Sequence, residues 1–415
     1  MAADRGAGGR RSATIKDVAA AAGVGIATVS RVFSGTGSVS PATRERVLAA
    51  ARDLDYRPSA LGRGLKLRRS GGIGLVVPDV TDPFCADLVA GVLACARTFG
   101  EHVVLDAAHG DPAREAEIVD RLVEQRVDGI IAVPAGTEAA WRAAERIGAG
   151  VVFADRVPPG LDEAPSVLAD DRAGVRTLTE YLVGLGHRRI AFLGASPPGP
   201  PQPDDGPGEA QDGPSRRGGA DGTGGDPGDP SGAGGASGAG PPSGEPRSPR
   251  VTRAGAPEEV RERAFRDTMA AVGVPVEEDL VVAARHERDS AFAAAAGLLQ
   301  RRGDVTAVLA AGHLLGEAAV LVARELDLRV PADVSIAMVD DVPWAELCDP
   351  PLTTVARPGR DIGHRACELL LRDRTRRTRR GPVLLPAELV IRGSCGPPRG
   401  GREAGRGRTR KKGAP

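Results

Sequence analysis

The chain contains few cysteines, and they are scattered. Its five cysteines are odd in number, form no C-x-x-C pair and have no histidine cluster near them; they are Cys85, Cys95, Cys348, Cys367 and Cys395. Widely spaced thiols of this kind are typical neither of a disulfide framework nor of a zinc site. We therefore expect no disulfide bond, no metal site and no cofactor.

Long apolar runs are also missing. No stretch of about 18 uncharged apolar residues occurs, and the N-terminus carries no apolar signal segment. The sequence therefore predicts a protein without a membrane span and with a cytoplasmic location.

Motifs of catalytic chemistry are absent. There is no G-x-S-x-G, no H-E-x-x-H and no G-x-x-x-x-G-K-S/T. Asp340 and Asp341 are adjacent, and neighbouring side chains of a strand point to opposite faces, so these two carboxylates cannot flank one bond unless the strand ends before them. We expect no catalytic residues, and the protein is not expected to be an enzyme.

The chain lacks net charge, but its charges are unevenly distributed. Lys and Arg number 55, as do Asp and Glu. Residues 1–70 hold 13 basic and 5 acidic residues, and residues 399–415 hold 7 and 1. Basic ends around an acidic middle favour a polyanionic partner at one end and a different ligand in the middle, although solvated tails would give the same counts.

Three short helices are predicted near the N-terminus. Thr14 is typical of a helix start, and Gly23 of a helix end. A second helix is predicted at 26–33 after a short turn, and Ser40 followed by Pro41 predicts the start of a third. Two helices joined by so tight a turn indicate a helix-turn-helix unit, whose second helix lies in the major groove of DNA.

From Gly72 to about Ser394, apolar strands alternate with amphipathic helices. Strands are predicted at Ile73–Pro78, His102–Ala107, Gly129–Pro134, Val151–Asp155, Arg189–Gly194, Val281–Arg285, Ala307–Ala311 and Val334–Asp340. Helices are predicted at Pro83–Phe99, Ala113–Arg126, Ala173–Leu185 and Leu315–Leu326. The expected fold class is an all-α helix-turn-helix headpiece plus an α/β core of two doubly wound parallel-sheet lobes.

One stretch interrupts this alternation. Residues 197–256 contain 13 Pro and 17 Gly and no aromatic, Leu, Ile or Met residue. Such a segment cannot bury enough apolar surface to offset its ordering entropy. We expect a disordered insertion after a strand of the second lobe, and a passive linker is its simplest interpretation.

A resemblance to the lactose-repressor/galactose-repressor (LacI/GalR) family covers nearly the whole chain. The DNA-binding headpiece of that family is similar to TIKDVAAAAGVGIATVSRVFSGTGSVSPATRERVLAAARDLDYRPSALGRGL. Its effector core is similar, in the same order, to GIGLVVPDVTDPFCADLVAGV, RVDGIIAVPA, YLVGLGHRRIAFLG, VSIAMVDD, PPLTTV and LPAELVIRGS. The resemblance implies a core like that of type I periplasmic binding proteins. It also implies a transcriptional regulator, as a rule a repressor, that binds a palindromic operator in double-stranded DNA as a homodimer.

The resemblance implies DNA contacts throughout the headpiece and hinge. The recognition helix begins at Ile26, and phosphate contacts follow it, whereas Leu65 of the hinge matches a leucine that wedges into the minor groove. The predicted DNA-binding residues are Thr14, Ile26, Ala27, Thr28, Arg31, Ser38, Ser40 and Leu65.

It likewise implies a small-molecule effector, sugar-like in most relatives, between the lobes. Carboxylates suit sugar hydroxyls, and Phe84 offers a flat apolar wall. The predicted effector-binding residues are Asp79, Phe84, Asp155, Arg156, Arg261, His286 and Asp340, with Arg263 as an alternative to Arg261. Gly312 and His313 stand where the family usually has Asn-Asp, so the effector's identity stays open.

These inferences define the expected domains. They are a basic arm at 1–13, a helix-turn-helix domain at 14–57, a hinge at 58–70, a two-lobe core at 71–394 that includes the insertion at 197–256, and a basic tail at 395–415 without leucine heptads. An alternative from a different class is a solute-binding module with a vestigial DNA-binding head. Salt-dependent binding to duplex DNA would distinguish the two.

Overall fold

A computed structural model describes residues 13–34, 37–56, 72–135, 138–146, 150–196, 256–372 and 381–399. Several predicted segments lie outside these ranges, namely the arm up to residue 12, the hinge at 58–70 with Leu65, the insertion up to residue 255 and the tail from residue 400. Among the described residues, no helix combines the length and the apolar character needed to cross a bilayer.

The first three helices form the predicted helix-turn-helix unit. Helix α1 spans Ile15–Ala22, α2 spans Ile26–Ser34 and α3 spans Pro41–Asp53. Gly23 ends α1 with a φ of 63°, a left-handed conformation that costs glycine little. Val18, Val29 and Val47, one from each helix, are fully buried in one small apolar cluster. Burial of this cluster fixes the orientation of α2.

Lobe 1, as far as the structure describes it, is a six-stranded parallel sheet with helices on both faces. Its strands are β1 (Gly72–Val77), β2 (His102–Ala107), β3 (Gly129–Ala132), β4 (Gly150–Ala154), β5 (Ser166–Ala169) and β11 (Val383–Leu385), in the order β11-β5-β4-β3-β1-β2. Its helices are α4 (Pro83–Thr98), α5 (Pro112–Glu124), α6 (Glu138–Arg146) and α12 (Gly359–Arg372). One apolar cluster lies under α4 and α12 and another under α5 and α6.

Lobe 2 repeats this architecture in the described part of the chain. Its strands are β6 (Ile190–Ala195), β7 (Val281–Ala284), β8 (Ala307–Ala310), β9 (Ser335–Val339), β10 (Thr353–Ala356) and β12 (Glu388–Val390), in the order β12-β10-β9-β8-β6-β7. Its helices are α7 (Asp171–Gly184), α8 (Pro257–Ala271), α9 (Arg288–Arg301), α10 (His313–Glu325) and α11 (Pro343–Leu347). Strand β12 is antiparallel to β10, whereas the other neighbouring strands are parallel.

The chain passes between the lobes at three places in the described ranges. It leaves lobe 1 after β5, returns between β10 and α12, and crosses again between β11 and β12. Asp171 begins α7 directly after the first crossing, and Arg357 lies within the second. These crossings bring residues that are distant in sequence to the junction of the lobes.

The predicted fold class is confirmed, and each predicted strand overlaps a strand of the structure. Four strands were not predicted: β5, β10, β11 and β12. They are three or four residues long, and three of them contain Ser, Thr or Glu, so they lack the continuous apolar pattern on which the prediction relied. The antiparallel β12 is a further departure from the expected parallel sheets.

The ordered core extends past residue 394, where the sequence predicted the tail to begin. The Ile336 amide donates to the Ser394 carbonyl over 3.1 Å. His187 Nε2 lies 2.9 Å from the Gly396 carbonyl, and the Gly396 amide donates to Ser335 Oγ over 3.1 Å. Cys395 and Gly396 therefore belong to lobe 2, and the boundary predicted at 395 is corrected to a later position.

Candidate DNA-binding surface and effector cleft

Helix α2 presents Ile26, Ala27 and Arg31 away from the headpiece core, whereas the predicted DNA-contacting residue Thr28 is half-buried. Val29 and Val32 face inwards and are buried. Ile26, Ala27 and Arg31 are exposed, and Ile26 keeps 46% of its surface accessible. An exposed isoleucine at the first position of a helix is available for apolar contact with a base edge.

The other described DNA-binding candidates are Thr14 and the two predicted phosphate contacts, Ser38 and Ser40, and all three are exposed. The Thr14 amide and hydroxyl both donate to Asp17 Oδ2, over 2.8 and 2.7 Å. Ser40 Oγ accepts from the Thr43 amide over 3.3 Å and donates to the Thr43 hydroxyl. Thr14 and Ser40 therefore also help to start α1 and α3. Ser38, two residues before Ser40, is exposed as well.

Two aspartates mark the carboxyl ends of equivalent strands in the two sheets. Asp155 follows β4 and Asp340 follows β9, and each strand is third in the order of its sheet. Both residues have positive φ, 66° and 79°, and both are buried. Aspartate tolerates this backbone conformation better than most residues. The predicted pair thus sits at the strand ends where open α/β sheets bind ligands.

Arg357 joins these two aspartates, and the sequence analysis did not single it out. Its Nη1 donates to Asp155 Oδ1 and its Nε to Asp340 Oδ1, each over 2.7 Å. Its guanidinium carbon lies 3.8 Å from the centre of the Phe84 ring. Burial disfavours the charged form of Asp340 and by itself would raise its pKa. The Arg357 charge outweighs burial and holds the pKa of Asp340 well below its ordinary value.

A second arginine pairs with Asp171 at the start of α7. Arg261 Nε and Nη2 donate to Asp171 Oδ2 over 2.8 and 2.7 Å, and its Nη1 donates to the Ala311 carbonyl. Arg261 is buried, whereas Arg263 is exposed, so Arg261 is the arginine that points into this region. Burial raises the pKa of Asp171, against the opposing effect of Arg261.

The remaining predicted effector residues lie nearer the rim. Arg156 approaches Asp155 at 3.3 Å and Glu258 of lobe 2 at 3.8 Å. Asp79 accepts from the amide and hydroxyl of Thr81, and the amide hydrogen bond lowers the pKa of Asp79. The His286 side chain is 60% exposed. The centre of the His286 ring lies 5.9 Å from that of His313, and His286 Nε2 lies 4.0 Å from Asp82 Oδ2. Among the described contacts, neither Asp79 nor His286 touches Arg357.

His313 and Asp82 form a further contact between the lobes that sequence reasoning missed. His313 Nδ1 lies 3.8 Å from Asp82 Oδ2 of lobe 1 and 3.8 Å from Asp340 Oδ2. Burial favours the neutral imidazole, but these two carboxylates outweigh burial and raise the pKa of His313 above its ordinary value. The departure of Gly312-His313 from the family pattern was the available sequence signal.

The raised pKa of His313 predicts a pH-dependent contribution to stability. Because the folded state binds the proton more tightly, the contribution is full below the ordinary pKa of about 6.5 and is lost as the pH rises through the folded value. We expect His313→Asn to destabilise the chain more at acidic than at alkaline pH, as measured by denaturant unfolding of both proteins across that range.

His187 provides a control of opposite sign. Burial lowers the pKa of His187, which bonds Thr306 and Gly396 within lobe 2. Its contribution is therefore present at neutral pH and is lost as the pH falls below its ordinary value. A His313→Asn effect that did not change with pH, or changed in the same direction as that of His187→Asn, would contradict the prediction.

The arrangement is suited to binding rather than to acid–base chemistry. Asp340 faces Arg357, whereas Asp341 bonds Arg392 and Thr354 over 2.7 and 2.8 Å, so the two carboxylates point to different partners. In the part of the chain that the structure describes, no group of three His, Cys, Asp or Glu side chains could hold a metal ion.

Family models match most of the chain. Residues 14–59 match bacterial regulatory proteins of the lacI family. Residues 70–197 match the periplasmic binding proteins and sugar binding domain of the LacI family, and residues 249–395 match a periplasmic binding protein-like domain. The matches follow the headpiece and the two lobes of the structure.

Curated relatives and solved structures are also LacI-type regulatory proteins. The transcriptional regulator CelR of Thermobifida fusca is 31% identical over 395 residues, which are 93% of this chain and 99% of CelR. The regulator DegA of Bacillus subtilis is 29% identical, over 92% of this chain and 98% of DegA. A CelR–cellobiose complex superposes with a TM-score of 0.60 at 28% identity, covering 92% of this chain and 99% of that one. The lac repressor dimer bound to operator and an anti-inducer has the same fold, with a TM-score of 0.72 at 23% identity over 93% of this chain and 100% of that one.

Proposed function

The chain belongs to the LacI family of bacterial regulatory proteins, and on that premise we propose that it is a repressor that binds a palindromic operator as a homodimer under the control of a small molecule. Like its relatives, the chain is a DNA-binding transcriptional regulator with an effector-binding core, and it is not an enzyme. What we propose beyond this are the palindromic operator, the homodimer and the small-molecule ligand.

The exposed face of α2 carries the proposal. Its core-facing side is anchored by Val29, and its outer side presents Ile26, Ala27 and Arg31. Apolar side chains can contact thymine methyl groups, and an arginine one turn further on can reach guanine or a phosphate. This combination supports direct contact of α2 with the major groove.

Exposed apolar side chains on both lobes support a homodimer. Lobe 1 exposes Leu93 on α4 and Leu105 on β2, at 43% and 42%. Lobe 2 exposes Leu321 on α10 and Leu347 on α11, at 42% and 85%. One headpiece covers a half-site, and a twofold pair of chains would cover a palindrome.

The cleft supports a small ligand that donates hydrogen bonds. Asp155 and Asp340 each offer carboxylate oxygens at a strand end, and Phe84 offers an apolar ring. A relative has been solved with cellobiose, which supports a sugar-like effector here. Ligand binding would change operator affinity by favouring one arrangement of the lobes.

Selection of bound sequences from random duplex DNA, followed by footprinting, tests the proposal. We expect a palindrome whose half-sites are protected, and an affinity that falls steeply with salt as counterions are released. An unprotected palindrome, or binding to duplex DNA that ignored salt, would favour a solute-binding module with a vestigial head.

Arg31→Ala tests the direct role of α2. We expect operator binding to weaken by about 1–3 kcal/mol, because a base or phosphate contact is lost. Arg52→Ala, on the exposed side of α3, removes the same charge outside the recognition helix and serves as the control. Equal losses for both variants in a titration at fixed salt would show that Arg31 contributes only net charge.

A further inference from the structure

Three of the predicted effector-binding residues converge on one residue of the chain itself. Phe84 and Asp155 belong to lobe 1, and Asp340 belongs to lobe 2. All three contact the Arg357 guanidinium, through the ring face of Phe84 and through one oxygen of each carboxylate. Arg357 therefore occupies the surfaces on which a ligand between the lobes would depend.

We propose that Arg357 is an internal occupant of the effector cleft: it ties the lobes together without effector, and the effector must displace it. This inference rests on the cleft of the proposed function but requires no DNA. The guanidinium reaches both lobes because it lies in the crossing between β10 and α12. Two charge-assisted hydrogen bonds to different lobes, each 2.7 Å, make it a bridge.

The surroundings of Arg357 determine which ligand could replace it. Asp171 Oδ1 is buried without a hydrogen-bond partner and lies 4.0 Å from Arg357 Nε. A buried acceptor of this kind is costly unless a donor reaches it. After displacement, a ligand would meet acceptor oxygens of Asp155, Asp171 and Asp340. Such a site accepts a cationic group or clustered hydroxyl donors and disfavours an anion.

The facing charges support this ligand class. Besides Arg357, the cations near the three aspartates are Arg261, which is held by Asp171, and Arg156 at the rim. Two histidines lie in the same region: His313, beside Asp82 and Asp340, and His286, whose ring centre is 5.9 Å from that of His313. Removal of Arg357 leaves an excess of carboxylate in the cleft, because Arg261 already has its partner.

Hydrogen–deuterium exchange of the full chain tests the bridge. In the wild type we expect slow exchange of the amides of Asp155 and Asp340, which donate to Val167 and Val355. Arg357→Ala should accelerate exchange at both strand ends by about tenfold or more as the lobes separate. Methylguanidinium, at millimolar concentration, should restore protection in this variant, and methylammonium should restore less because it cannot span both carboxylates.

Two further variants separate the bridge from a general loss of stability. Asp155→Asn removes the lobe 1 charge while keeping a side chain that tolerates positive φ, and it should accelerate exchange at the same two strand ends. Arg392→Gln removes an arginine that pairs with Asp341 and Glu346 inside lobe 2. We expect it to leave exchange at the Asp155 strand end unchanged.

Each alternative result overturns a stated part of the proposal. Unchanged exchange in both Arg357→Ala and Asp155→Asn would exclude a bridge. If Arg357→Ala failed to fold, unchanged exchange in Asp155→Asn would suffice to exclude it. Separation of the lobes without rescue by methylguanidinium would exclude an internal occupant of a ligand site. Protection of Arg357→Ala by inorganic phosphate would overturn the assigned ligand class. A protein that passed these tests but bound no DNA would contradict the proposed function alone.

Discussion

Val29→Asp is expected to abolish specific DNA binding while both lobes remain folded. Val29 is fully buried between α1, α2 and α3, and a carboxylate there would have no partner in the apolar cluster of the headpiece. The cost, about 4 kcal/mol or more, is comparable to the whole stability of so small a core, which is about 3–5 kcal/mol. We expect operator affinity to fall by about a hundredfold or more, measured by electrophoretic mobility shift.

The matched control for this variant is Ala20→Asp. It introduces the same carboxylate on the exposed side of α1, where a surface substitution changes stability by about 0.5 kcal/mol or less. The main thermal transition, which reports the lobes, should be unchanged in both variants. Retained operator affinity in Val29→Asp would show that the buried cluster does not hold α2 in place.

Gly91→Ala is expected to prevent stable folding of lobe 1. Gly91 lies on α4, and a Cβ at this position would stand 1.9 Å from the Arg360 carbonyl oxygen and 2.9 Å from the His364 nitrogen of α12. Both neighbours are backbone atoms of a helix, so they cannot move aside as a side chain would. We expect a loss of about 4 kcal/mol or more, seen as an early or absent thermal transition and as aggregation.

Gly184→Ala provides the comparison at the end of α7. A Cβ there meets nothing within 4 Å, and alanine favours the helix by about 1 kcal/mol relative to glycine. This variant should be neutral or slightly stabilised. If Gly91→Ala unfolded at the same temperature as Gly184→Ala, the close approach of α4 to α12 would not be a determinant of stability.

The cleft positions that a local pattern could anticipate are those that follow apolar strands. Asp155 and Asp340 were expected from the family resemblance, and both follow strands whose last four residues are apolar. The carboxyl ends of such strands meet at one edge of a parallel sheet, so residues placed there can be anticipated. Arg357 and Asp171, which the sequence analysis missed, do not follow predicted strands.

Arg357 was missed because the strand before it was missed. Strand β10 reads Thr-Thr-Val-Ala and lacks the apolar run that marks the other central strands. Its burial comes from its neighbours β9 and β12, which are distant in sequence. Had β10 been predicted, Arg357 would have been a candidate by the same strand-end rule. Asp171 was missed for a related reason: the helix was predicted to begin at Ala173, two residues after it.

The sequence by itself determined the three headpiece helices, the alternation of strands and helices, and the two-lobe class. Those features depend on local periodicity, capping residues and turn residues, which are read within one segment. Only the tertiary structure decided that Arg357 bonds Asp155, 202 positions earlier in the chain. Three crossings between the lobes create that contact. Hydrogen bonds and ion pairs depend on distance in space, and no local pattern encodes the distance between two lobes.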